Sequence, residues 1–393
     1  MKSILLTTSA LVAFAGAAAA EVSFSGDATL GYNDFDAQNI ATATVIDTDW
    51  AGTASGTASG ADTIDDEVGF YWDADVAVTM TEELDNGITA GVAFNFEAAD
   101  LNNGQGLSGS DFVLSLTSDS AGLYVGDTAF AAETRWVSAG DMEADGFSEA
   151  DGETALRADV EVAMVAASIS MVLADTNGNT ASSVSSEDYD QLSFGAAADV
   201  GQFSVAAAYQ EESTLGTTGN GDYNVSEIWG LSVGTTVSGA DIRVAYASNE
   251  TAGTSSTGIK VSYPFGSAVT ATAYYVDEAG GTDTDPNYGV KVAYAAGDIS
   301  ATLDFQDDQG TTKTAIDASY DIGNGFTALA GYYVQDNEDG TDYDDEFYVA
   351  GTYDLGGGAS LLASYAGGAD NNDDEIGAGD YKRGTTVEVN FSF

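Results

Sequence analysis

From Glu21 onward, apolar and polar residues alternate one by one along short runs that meet in pairs at tight turns. In residues 72–80, Trp72, Ala74, Val76, Val78 and Met80 share one parity, while Asp73, Asp75, Ala77 and Thr79 share the other. Residues 155–162 set Leu156, Ala158, Val160 and Val162 against Arg157, Asp159 and Glu161. Residues 241–246 set Ile242, Val244 and Tyr246 against Asp241 and Arg243. Residues 22–32 divide the same way, with Phe24, Ala28, Leu30 and Tyr32 against Ser23, Ser25, Asp27 and Thr29. A period of two is the signature of a strand with two unlike faces.

The runs come as hairpins. "FYWDADVAVTMTEELDNGITAGVAFNFE" is one, "GLSVGTTVSGADIRVAYASNE" another, and "IDASYDIGNGFTALAGYYVQD" and "YVAGTYDLGGGASLLASYAGG" are near copies of each other. Gly, Asn, Asp and Ser at the joints supply tight-turn chemistry. Nine such hairpins and two end strands predict about 20 strands in one sheet. One set of links is short and almost uncharged. The alternate set is long and acidic: residues 34–66, 98–110, 128–153, 175–188, 212–224, 278–287, 336–345 and 367–381. Short turns on one rim and long loops on the other predict an all-β, antiparallel, up-and-down barrel.

A soluble sandwich also alternates. Here, however, the polar face is charged in strand after strand, and the opposite face carries small residues with aromatics near strand ends. That distribution fits lipid outside, water inside and aromatic girdles at the two interfaces. Strands of about 8–11 residues suffice for a tilted crossing of an apolar band ~25 Å tall. Lipid also demands closure, because an open edge leaves backbone groups unpaired in hydrocarbon. Arg157, Arg243, Lys260, Lys291 and Lys313 fall on the lumen parity, as expected where a cation on the lipid face costs roughly 2–4 kcal/mol at the midplane. Two readings of these cations stand side by side. They form a basic wall inside a pore, or each pairs with an acid one strand away.

Composition narrows the function. With 9 basic against 64 acidic residues the formal charge is −55, which excludes nucleic acid and anionic lipid surfaces as partners. The chain has no Cys and no His, so disulfides, Cys nucleophiles and His bases are excluded. No Ser- or acid-based catalytic set converges, and no enzyme is expected. "MKSILLTTSALVAFAGAAAA" reads as a signal peptide (1–20) cleaved after Ala18-x-Ala20, leaving 21–393 as one barrel domain. Acidic runs such as "NEDGTDYDDE" (337–346) and "DNNDDE" (370–375) belong on the outer rim, where they could hold Ca²⁺ or share divalent cations with lipopolysaccharide. No EF-hand spacing marks a site. The "DWAGTASGTASGADTIDD" stretch within 34–66 is low in complexity and reads as a surface insertion.

The signal peptide, the start "EVSFSGDATLGY", the "YDLGGGAS" hairpin and the end "VEVNFSF" together resemble alphaproteobacterial general porins of the Rhodobacter type. "GLYVGDTAFAAETRW" (122–136) resembles that family's junction between strand and constriction loop. The resemblance implies 16 strands, a homotrimer in the outer membrane and a third long loop folded into the pore. Here that loop is 128–153, carrying Glu133, Asp141, Glu143, Asp145, Glu149, Asp151 and Glu153. It also implies a terminal Phe, here Phe393, read by the assembly machinery. The expected function is a general-diffusion porin with a cation-preferring channel. The alternatives are a substrate-selective channel and a secreted, Ca²⁺-binding β-structural adhesin.

Overall fold

The computed structural model describes residues 21–34, 69–100, 104–149, 154–173, 189–213, 223–281, 284–336, 345–368, 376–377 and 381–393. The expected signal segment, the low-complexity insertion and the acidic runs 337–344 and 370–375 lie outside these residues.

Twenty strands follow in order. The first five are β1 (Glu21–Asn33), β2 (Gly69–Glu83), β3 (Thr89–Asp100), β4 (Gly104–Thr117) and β5 (Ala121–Gly126). After a long inward connection come β6 (Ala155–Val162), β7 (Val165–Val172), β8 (Asp190–Val200), β9 (Phe203–Gln210) and β10 (Ile228–Val237). Then follow β11 (Ala240–Asn249), β12 (Thr254–Phe265), β13 (Val269–Ala279), β14 (Asn287–Ala296) and β15 (Ile299–Asp308). The last are β16 (Thr311–Gly323), β17 (Phe326–Asp336), β18 (Glu346–Gly356), β19 (Ala359–Gly367) and β20 (Gly384–Ser392).

Each strand pairs antiparallel with the next, and β20 returns to β1, so the sheet closes as a 20-stranded barrel. The hairpin count of about 20 holds, and the 16 strands implied by resemblance are corrected. Every hairpin-like segment contributes its own pair of strands. Even "ALRADVEVAMVAASISMVLAD", with no Gly or Asn at its turn, folds as β6–β7, with Ala163 in the left-handed region at φ 57°. The long link expected at 98–110 is also corrected. The β3–β4 ladder runs on through Asp100↔Gly104, leaving only residues 101–103 between the strands.

At the seam, Asp27 to Asn33 of β1 pair with Ser392 to Thr386 of β20, and Gly26 exchanges two backbone hydrogen bonds with Phe393 at 2.8 and 2.9 Å. The first residues of β1 extend past the chain end and pair with β2 alone.

The outer face is mainly apolar. Phe24, Leu30, Trp72, Leu231, Val244 and Ile316 are exposed on it. Aromatic pairs band it near both rims, such as Trp229–Tyr246 at 5.1 Å towards the long-loop rim and Tyr263–Phe265 at 4.8 Å towards the short-turn rim. No helix among the described residues is long and apolar enough to cross a membrane. The core sits inside the barrel, where the chain between β5 and β6 packs against the wall.

Candidate functional site

The site is the narrowed lumen. After β5 the chain turns inward through a short helix, α1 (Ala131–Arg135), and a single 3-10 turn at Glu143–Asp145. Backbone groups fix it to the wall. Ala131 N donates to Ser170 Oγ at 2.8 Å, Ala132 N to Ser193 Oγ at 2.8 Å, and Ala144 N to Ser256 Oγ at 2.9 Å. Ser148 N donates to Gln210 Oε1 at 2.8 Å. The first two bonds satisfy amides that a helix start leaves without intrahelical partners.

The wall beneath is built of small residues. A Cβ on Gly258 would lie 2.4 Å from the Ala139 carbonyl oxygen, and one on Gly230 would lie 2.5 Å from the Trp136 ring. Between them, Ala245, Ala247 and Val276 bury Ala139, Met142 and Ala144. Ala208 and Ile228 bury Ala132 and Phe147. Trp136 packs on Phe147 at 5.5 Å, with its Nε1–H donating to Asp145 Oδ2 at 2.7 Å.

The loop acids differ in environment. Glu143 and Glu149 are exposed to the lumen. Glu133 is partly buried, with one carboxylate oxygen lacking a hydrogen-bond partner. Desolvation raises its pKa, Glu149 adds to the rise, and Arg157 opposes it. Asp145 is pushed up to about 6, chiefly by burial and further by the Glu278 carboxylate, against the opposing Trp136 hydrogen bond. Asp141 accepts from Gln306 Nε2 at 2.8 Å, and Asn287 Nδ2 donates to Glu143 Oε1 at 3.2 Å. Asp141, Glu143 and Asp308 converge. The buried Lys313 ammonium lies 3.3 Å from Asp308, so a side-chain cation already serves this cluster. Asp151 and Glu153 lie outside the described residues.

The predicted basic residues lie alongside or beneath this loop. Arg157 donates to the Ala129 carbonyl at 2.8 Å and ion-pairs with Asp159 at 3.2 Å. Lys291 pairs with Asp304, its cross-strand partner, at 2.8 Å. Arg243 and Lys260 face each other across β11–β12, in a recess that Val137 and Ser138 of the loop also line.

A second insert narrows the other side. Residues 376–377 and 381–383, from the connection between β19 and β20, lie against the lumen faces of β16–β18 and β2. Ile376 packs on Ala315 and Tyr333. Tyr381 stacks on Tyr348 at 4.4 Å, and Lys382 Nζ sits 4.7 Å over the Tyr71 ring. The Arg383 carbonyl accepts from Asn33 Nδ2 at 2.7 Å. Sequence reasoning did not single out Lys382 and Arg383. Their signal was available, since they are the only adjacent basic pair in a chain with 9 basic residues.

The profile of the Gram-negative porin family matches residues 7–374. No curated protein matches in sequence. Among solved structures, a triple mutant of Rhodopseudomonas blastica porin is 14% identical over 95% of this chain and 100% of its own, with a TM-score of 0.45. Another mutant of that porin is 13% identical over the same shares, with a TM-score of 0.42. Likenesses this slight add nothing to the ladder, which carries the fold unaided. The profile match is of another kind: it runs across nearly every strand rather than one hairpin, and the chain belongs to the Gram-negative porin family.

Proposed function

We propose that this outer-membrane diffusion channel prefers cations and orients dipolar solutes as they cross its narrowest part. The observation that carries this reading is the two-sided constriction. One side is the loop with Glu133, Asp141, Glu143, Asp145 and Glu149; the other is the segment with Lys382 and Arg383. Opposite charges across a narrow, water-filled gap set a field perpendicular to the pore axis. The formal charge of −55 biases the lumen and its mouths towards cations by the same electrostatics.

Asp151 and Glu153, which continue the loop, extend its acidic side in this reading. The family resemblance supports a homotrimer, with each protomer carrying its own pore. The protein should be reconstituted in planar bilayers under a KCl gradient. A reversal potential of the cation-selective sign is expected, and the K382A/R383A double variant should become more cation-selective. A wild-type reversal potential at zero would refute the preference. An unchanged value in the double variant would refute the role of Lys382 and Arg383.

A further inference from the structure

We propose that Arg243 and Lys260 form a binding recess for an oxyanion, the phosphate or carboxylate group of a small solute, on the short-turn side of the constriction. The two residues are register partners on β11 and β12, so two cations stand side by side on the lumen wall. Like charges directly opposite one another in a ladder destabilise it. A chain with 64 carboxylates could readily neutralise such a pair. It does so elsewhere: Arg157, Lys291 and Lys313 each have a carboxylate partner. Among the described residues, Arg243 and Lys260 have none.

Hydroxyls gather around them instead. Arg243 Nη1 donates to Ser232 Oγ at 3.1 Å and Nη2 to Ser204 Oγ at 3.4 Å. A serine oxygen that accepts from guanidinium still has its own O–H to donate. Thr272 Oγ1 donates to Ser262 Oγ at 3.0 Å, and Ser262 shares the recess, leaving a second hydroxyl hydrogen free to turn inward. The recess has a volume of about 590 Å³, room for a phosphate with its hydration.

Asp199 and Asp241 also line it. Asp241 accepts from Thr236 Oγ1 at 2.6 Å, which holds its carboxylate at the β10–β11 turn. The recess is therefore polarised, anionic at the turn and cationic deeper in. Guanidinium supplies planar paired donors and ammonium a mobile point charge, a combination suited to an oxyanion. The overlying loop separates the pair from the long-loop mouth, so an anion reaches it more readily from the short-turn side.

The test uses the full-length protein in planar bilayers in KCl, with inorganic phosphate added to one side at a time. Phosphate on the short-turn side should reduce or interrupt the wild-type current at lower concentration than phosphate on the other side. The R243A/K260A variant should raise the half-blocking concentration at least tenfold, while R243K/K260R should keep it near the wild-type value. Equal phosphate responses in wild type and R243A/K260A, with KCl conductance intact, would overturn the recess. Absence of KCl conductance from the folded wild-type protein would overturn the open channel on which it rests, and the recess with it.

Discussion

Asp145 supplies the sharpest test of how the loop is held. Its carboxyl is enclosed by Trp136, the loop backbone and the Glu278 carboxylate, and burial pushes its pKa from 3.8 to about 6. The difference is about 2 pH units; at about 1.4 kcal/mol per unit, ionised Asp145 costs the seated loop about 3 kcal/mol relative to the neutral acid. The sign follows from linkage. The folded pKa lies above the unfolded one, so the stabilisation is fully present below about pH 4 and is lost as pH rises through about 6. Asp145→Asn keeps an acceptor for the Trp136 Nε1–H and removes the charge. Thermal unfolding in detergent micelles at pH 8, 6.5 and 5 should therefore show the variant more stable than wild type at pH 8. The gap should narrow as pH falls to 5. The many other carboxylates titrate in both proteins, so the difference between the two isolates residue 145. An offset constant across that range, or a wild type more stable at pH 8, would refute the buried-charge argument.

Two further perturbations address the wall and the seam. A Cβ at residue 258 would lie 2.4 Å from the Ala139 oxygen, roughly 1 Å short of a comfortable contact. Gly258→Val should push the loop inward, lowering single-channel conductance and costing about 1–3 kcal/mol by overpacking; a wild-type conductance would show that the loop does not rest there. Deleting Phe393 removes the two backbone bonds to Gly26 at the seam, together with the proposed assembly signal. Folded yield in the outer membrane should drop sharply while surviving pores conduct normally, and an undiminished yield would refute the proposal.

The barrel was legible because lipid and water impose opposite demands on successive residues, and that demand repeats in every strand. It gave the strand count and the facing of Trp72, Asp73, Ile242 and Arg243. Where a strand is itself rich in turn-forming residues, the pattern weakens. Residues 98–110 carry Gly, Asn and Ser like a loop, yet all but 101–103 belong to β3 and β4. The inward loop was recognised from its order in the chain, but not the serines that hold it. Ser170, Ser193 and Ser256 look like any lumen hydroxyl until the loop backbone lies over them. The partners of the cations were hidden for a related reason. Lys291 and Asp304 are a local register pair and were foreseeable, whereas Arg157 meets the Ala129 carbonyl only through the tertiary path of the loop. The second insert has no periodicity to betray it, so Lys382 and Arg383 stayed inconspicuous.

The manner in which the loop is fastened bears on how such a pore can diversify. Its anchors are mostly main-chain amides meeting wall hydroxyls, and its closest approaches are to wall glycines. Neither depends on the identity of the exposed loop side chain of Glu149. Aperture is thus written largely in the barrel wall, and charge in the loop's free face. Substitutions at the free face can retune which ions pass without changing how large a solute fits, and a lineage can explore the two traits separately.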